Sequence, residues 1–388
     1  MNDRAHDVVV FGATGFTGGL ACEYLARHAP EGTRWAIAGR DERKLSAVRE
    51  ALGALRCPPS EVRVVDAGDP RSLRAMAEST RVVLTTVGPF AEHGIPVVEA
   101  AVEGGADYVD ITGEPSFVNE VIARFDDRAR DRGVRIVNCC GFDSIPHDLG
   151  ALYTAQQLPR GARMTIEAYV RSRGTFSGGT WHSAIGAMAG MRRGARPKRE
   201  RRPPTSDRKV RGMTRRIRWS QEVGAWAVPL PTIDPEVVLR SARELDVFGP
   251  DFRYGHFARV RTLRTAVAGV AGVGALAVLA QTKPTRELLK RVRKQGEGPS
   301  AEQRSKSWFE VTFVGEDASH RVITTVSGGD PGYDETAKMV SESALCLAHD
   351  RATLPERAGV LTTAVAMGDR LRERLMKAGI RFQVKDRV

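Results

Sequence analysis

VVVFGATGFTGG, residues 8–19, decides how the first half of this chain is read. Val8, Val9, Val10 and Phe11 form an unbroken run of β-branched and aromatic residues, the pattern of a strand buried on both faces. Glycines then open a turn, and from Phe16 the spacing of Leu20, Tyr24 and Leu25 is helical up to His28, with Pro30 beyond as a stop. A helix N-terminus carries free N–H groups and about half a positive charge, which suit a phosphate. Gly12, Gly15 and Gly18 form G-x-x-G-x-x-G, a spacing variant of the dinucleotide fingerprint in which missing side chains permit a tight turn, close pyrophosphate approach and tight helix packing. The cofactor contacts expected from this turn are Gly12, Thr14, Gly15, Phe16, Thr17 and Gly18.

The pattern continues outward from there. RWAIAGR (34–40), EVRVVDA (61–67), RVVLTTVG (81–88), ADYVDI (106–111) and VRIVNCC (134–140) read as strands. Helices are expected at 41–52, after Pro70, at 96–103 and at 116–132. This alternation predicts an α/β fold with a Rossmann-type, doubly wound parallel sheet, its ligand at the carboxyl ends of the strands. After the second strand an NAD site usually offers an acidic residue to the ribose, whereas a 2′-phosphate needs a small residue and a cation. Gly39 and Arg40, with Arg43 and Lys44 on the next turn, therefore point to NADP. Asp66 ends the third strand, either beside the adenine or as a helix cap. Val87, Gly88 and Pro89 make a bare, stiff turn past which a ribose can lie. In CCGFDSIPHDLG (139–150), Asp143 or Ser144 is expected to cap a helix, and both can line the substrate end of the cleft.

Composition sets further bounds. The 388 residues are 41% hydrophobic and 27% charged, ordinary for a folded protein of two domains. Five cysteines without C-x-x-C spacing suggest neither a disulfide framework nor a zinc site, and no metal is expected. With no secretory signal pattern after MNDRAHD, a cytoplasmic setting is expected. Nearly all of the net charge of +12 lies in residues 192–218, where thirteen Lys or Arg face only Glu200 and Asp207. This proline-rich run reads as a mobile surface loop, either merely solvated or docking on an acidic partner or anionic lipid. It lacks the interleaved aromatics of a nucleic-acid binder.

Several motifs here resemble the saccharopine dehydrogenase-like NADP-binding superfamily, and most closely its trans-acting enoyl reductase branch. They are GATGFTG, the IAGR strand end, LTTVGPF, DYVDITGE and CGFDSIPHDLG, with SGGT (177–180) and GVLTTAVAMGDRL (359–371) further on. The resemblance implies NADPH-dependent reduction of a double bond on a carrier-bound polyketide or fatty-acyl chain during complex lipid assembly. Residues 144–146 depart from true saccharopine reductases, which carry a second glycine there. An amino-acid oxidoreductase and a non-catalytic NADP-binding scaffold remain the alternatives. No Tyr-x-x-x-Lys pair marks a proton donor, and the candidates are Tyr108, His147, Trp181, His182 and Tyr333.

The organisation expected is an NADP-binding domain over 1–151, a mixed α+β substrate domain over 152–330, and a C-terminal helical segment over 331–388 packing back on the first domain. Strands are expected at 163–172, 308–315 and 321–329, the last two as a hairpin. Residues 265–282 carry no charge for eighteen positions. They suit a buried helix, a homodimer interface, peripheral membrane contact or a short span.

Overall fold

The computed structural model describes residues 4–174, 185, 208–214, 216–292 and 298–388. Two compact units emerge. The first holds the described residues up to Phe142 together with Gly298 and Gly332–Leu375; the second holds the other described residues from Asp143 to Pro331 and Met376–Val388.

The first unit is built on β1 (His6–Phe11), α1 (Phe16–His28), β2 (Trp35–Gly39), α2 (Glu42–Leu52), β3 (Glu61–Val64), α3 (Pro70–Ser79), β4 (Thr80–Thr85), α4 (Phe90–Gly104), β5 (Asp107–Asp110), α5 (Pro115–Asp131) and β6 (Arg135–Val137). The pairings are all parallel, in the order β14-β6-β5-β4-β1-β2-β3, where β14 is Gly359–Leu361. Val8, Val9, Val10, Ile37, Val83, Leu84 and Val109 are fully buried, as a sheet covered on both faces requires. The order reverses at β1, between β2 and β4, and such a reversal opens a crevice at the strand ends. α4 begins six residues before the expected Pro96, which lies inside the helix.

The second unit carries an eight-stranded mixed sheet. It begins with α6 (Ile145–Ala155), β7 (Met164–Arg173), β8 (Lys209–Gly212), β9 (Arg218–Ser220), β10 (Ala225–Pro229), α7 (Asp234–Glu244), β11 (Asp251–Val260), α8 (Leu263–Leu279) and α9 (Lys283–Arg291). α10 (Ala301–Ser305), β12 (Trp308–Glu316), β13 (Arg321–Gly328) and β15 (Arg381–Arg387) follow. The strand order is β15-β13-β12-β7-β11-β10-β9, with β8 against β11. β12 and β13 form the expected antiparallel hairpin, from Phe309 opposite Gly328 to Glu316 opposite Arg321.

Three expectations need correcting. The first boundary falls at 142/143 rather than 151/152, because α6 is buried all round and belongs to the second core. A Cβ on Gly150 would lie 2.4 Å from the Phe313 ring. Residues 331–388 do not act as one helical segment. α11 (Asp334–His349), β14, α12 (Thr363–Ala366) and most of α13 (Gly368–Lys377) complete the first unit, whereas β15 pairs with β13 in the second. The basic run 192–218 is not wholly loop. Its described part includes β8 and Arg218 of β9, with Arg208 paired to Asp246 at 3.0 Å and Arg211 to Asp251 at 3.2 Å.

Residues 192–207 lie outside the described residues, as do SGGT (177–180), Trp181 and His182.

Candidate active site

The turn between β1 and α1 is shaped by what its glycines exclude. Gly12 takes φ +98°, a left-handed conformation that L side chains avoid, and a Cβ there would lie 2.7 Å from Thr86 Oγ1. A Cβ on Gly18 would lie 2.1 Å from the Gly12 carbonyl oxygen, so this glycine sets how closely α1 approaches the turn. Gly15 differs, since its Cβ would meet only the Gly12 oxygen at 3.3 Å. The open space beside it is where a pyrophosphate can come close. Thr14 and Gly15 are exposed, and Phe16 and Thr17 half-buried.

The N-terminus of α1 is also electrostatically bare. Gly15 occupies its N-cap with no side-chain hydrogen bond, and the first turn holds no acidic residue. Its neighbours are filled from within the protein. Asp41 accepts from Lys44 N in α2, Asp69 from Arg71 N and Ser72 N in α3, and Glu114 from Phe90 N and Ala91 N in α4. The start of α1 therefore lacks the carboxylate that its neighbours carry, and its positive end suits an external anion.

The other expected cofactor residues converge on this turn. Gly12 N donates to Ala38 O at 2.9 Å, Val65 N donates to Gly39 O at 2.9 Å, and a Cβ on Gly12 would touch Val87 at 3.0 Å. The ends of β4, β1, β2 and β3 thus form one rim. A Cβ on Gly39 would meet only the Leu45 side chain at 3.5 Å, so the protein's own packing does not demand glycine there. Arg40 is exposed with no ion-pair partner among the described residues; Lys44 lies 3.7 Å from Asp41. Asp66 does not cap α3, a role held by Asp69; its Oδ1 accepts from Gly68 N at 2.7 Å. Val87, Gly88 and Pro89 are half-buried on the same rim, with Val87 N donating to Thr85 Oγ1 at 3.2 Å.

Residues 8–137 match the family model described as the saccharopine dehydrogenase NADP binding domain. Over 98% of the chain and 97% of the relative, it is 38% identical to a Mycobacterium tuberculosis protein whose provisional name is trans-acting enoyl reductase. Two others also cover 98% of this chain: the lipid droplet localized protein of Caenorhabditis elegans, 32% identical over 98% of its length, and the saccharopine dehydrogenase-like oxidoreductase of Mus musculus, 31% identical over 97%. The chain belongs to the saccharopine dehydrogenase-like oxidoreductases.

Its fold is that of the glutamate-forming saccharopine dehydrogenase of Saccharomyces cerevisiae, with a TM-score of 0.54 at 13% identity, covering 98% of this chain and 99% of that one. The cofactor of this oxidoreductase is NADP. The glycine turn, the bare helix start and the small residue followed by a cation after β2 fit it.

The expected proton donors fare differently. Tyr108 is fully buried and donates to Asp110 Oδ2 at 2.9 Å. Asp110 also accepts from Asn138 Nδ2, Cys139 N and Thr112 N, while burial raises its pKa to about 6. Tyr108 thus holds the turn after β6, where Cys139 takes φ +63°, and burial pushes its hydroxyl well above the usual tyrosine range. Tyr333 is buried with its ring edge-on to Phe16, centroids 5.1 Å apart.

Ser144, one of the two residues expected there, occupies the N-cap of α6 but makes no side-chain hydrogen bond to the helix. Ser144, at φ +129°, directs its hydroxyl to Asp234 Oδ1 at 3.4 Å. His147 is buried in the same cluster, with Nε2 3.8 Å from Asp234 Oδ1, and burial lowers its pKa to about 3. His256 Nε2 lies 3.4 Å from the other Asp234 oxygen, and Tyr254 Oη lies 3.3 Å from His256 Nδ1. The His147, Asp234 and His256 donor atoms lie within 4.8 Å of one another, close enough to hold a metal ion, where the sequence suggested none. No local motif announces Asp234 or His256; α7 and β11 bring them to α6. Thr86 and Glu114 were also missed, although both sit in the quoted motifs LTTVGPF and DYVDITGE.

Proposed function

We propose that this oxidoreductase uses NADPH to reduce the double bond of an enoyl group held as a thioester on an acyl carrier or polyketide synthase in lipid assembly. The enoyl assignment is carried by end-to-end similarity to a protein named as a trans-acting enoyl reductase. The bare start of α1, among neighbours capped by carboxylates, supports the nucleotide part of the reading.

When bound, NADPH supplies the hydride for the β-carbon. The protein's part is to seat the pyrophosphate on the α1 N–H groups and the 2′-phosphate beside Gly39 and Arg40. Gly88 and Pro89 give the turn beyond β4 a fixed, uncluttered surface. The acyl chain is presented by its carrier, and residues 192–207 add a strongly basic run for an acidic carrier to meet.

The test uses the full chain, a long-chain enoyl thioester on its carrier, and NADPH deuterated at the transferable hydrogen. Mass spectrometry should find one deuterium at the β-carbon. A folded, NADPH-binding protein that transfers none refutes the assignment. Brisk oxidation of saccharopine with NADP would favour the amino-acid reaction instead. A short soluble thioester is a poor substitute, because remote binding energy helps position the reacting carbon.

A further inference from the structure

α8 was expected to be a buried helix, a homodimer interface, a peripheral membrane contact or a short span, and it is not buried. Of its residues only Ala266 is buried, and VAGVAGVGA (267–275) is exposed at all nine positions. Nine helical residues sweep about two and a half turns, so no face of this stretch rests on the described residues. A Cβ on Gly269, Gly272 or Gly274 would meet nothing within 4 Å. Val267, Val270, Val273 and Val278 are 55%, 46%, 45% and 70% exposed. Ala266 and Ala280 are buried and Leu276 and Ala277 half-buried, so the helix is anchored toward its two ends and bare over 267–275.

A helix apolar on every side is normally enclosed by a core or by lipid. A second copy would cover one face and leave the others in water; an apolar medium covers them all. The surrounding charge adds a direction. Residues 261–291 hold six cations, Arg261, Arg264, Lys283, Arg286, Lys290 and Arg291, against Glu287 alone. Arg261, Arg264, Lys283 and Arg291 are exposed. α9 adds exposed Leu288, with Val292 just beyond it, 65% and 67% accessible. Apolar side chains beside cations suit the boundary between acyl chains and anionic headgroups. At 17 residues α8 is about 26 Å long, short of a hydrocarbon core of about 30 Å, and no helix among the described residues is long and apolar enough to cross a membrane.

We infer that α8 and α9 are a docking element for an anionic lipid surface, with α8 immersed in the near leaflet and the flanking cations on the headgroups. The inference rests on exposure and charge, and is independent of the reaction catalysed.

Full-length protein should float with vesicles of phosphatidylcholine and phosphatidylglycerol, and less with phosphatidylcholine alone. Val270→Asp with Val273→Asp should weaken flotation by at least about tenfold, since charge is disfavoured in acyl chains, while NADPH affinity stays unchanged as the control for folding. Lys283→Glu with Arg291→Glu should abolish the preference for phosphatidylglycerol. Val273→Trp supplies a second readout, fluorescence quenched by lipids brominated on their chains. Failure of wild type to float, an aspartate variant that folds and floats normally, or an unquenched Val273→Trp would overturn the inference. So would a wild-type dimer that ignores vesicles and is made monomeric by the aspartates, which would identify a second copy as the occupant.

Discussion

Replacing Arg40 by Ala tests the nucleotide site most directly, because the structure separates ligand effects from stability effects there. Arg40 is exposed and has no ion-pair partner among the described residues, so losing its side chain should leave the unfolding midpoint within error. A charge-assisted hydrogen bond to a phosphate contributes about 1.5–3 kcal/mol, or about 10- to 150-fold in affinity. Water and salt compete at an exposed position, which favours the lower end. NADPH should therefore bind about tenfold more weakly to Arg40→Ala, with NADH affinity unchanged. Adding Gly39→Asp should shift preference toward NADH, since the new side chain meets only Leu45 within the protein and its carboxylate can accept from the ribose 2′-hydroxyl. Fluorescence titration of both nucleotides provides the measurement. Equal wild-type affinities for NADPH and NADH, or an Arg40→Ala protein that binds NADPH as before, would refute the placement of the 2′-phosphate.

Two glycines of one turn should respond differently to substitution. Gly15→Val should abolish nucleotide binding while thermal stability holds, whereas Gly18→Ala should cost about 1–3 kcal/mol in denaturant unfolding, because its Cβ would strike the Gly12 carbonyl at 2.1 Å. Equal losses of stability would contradict the distinction. His147 should make the protein acid-sensitive. With its folded pKa at about 3 and the ordinary histidine value of 6.5 in the unfolded chain, stability is fully present above about pH 6.5 and lost as pH falls from there toward pH 3. At about 1.4 kcal/mol per unit, this amounts to about 2 kcal/mol between pH 7 and pH 5, and urea unfolding of His147→Gln should show a shallower dependence by that amount. An identical pH dependence in the variant would remove His147 as the cause. Replacing Glu114 by Gln, which leaves one oxygen for two N–H donors at the start of α4, should cost about 1–2 kcal/mol in unfolding experiments.

The first unit was legible because its information is local. A run of buried β-branched residues, a glycine turn and a helix start lie within twelve positions, and each imposes its conformation with little help from elsewhere. The same holds for Gly39 and Arg40 after β2, and for the hairpin of β12 and β13, whose alternation survives in the sequence. Other features were decided by tertiary structure. β14 is three residues long, and it is a strand because β6 lies open beside it, with Val360 opposite Ile136 more than two hundred residues away. β11 carries charges and a glycine that hide its pattern, yet β7 pairs with it along seven residues. His147 reads as a candidate proton donor in CGFDSIPHDLG, but burial of α6 turns it inward toward Asp234, which α7 supplies. α8 shows the limit most plainly: its apolar composition is evident in the sequence, but whether its faces meet protein or water depends on every other element's position. A local pattern determines backbone conformation because the forces involved act over a few residues, whereas burial is a property of the whole packed chain.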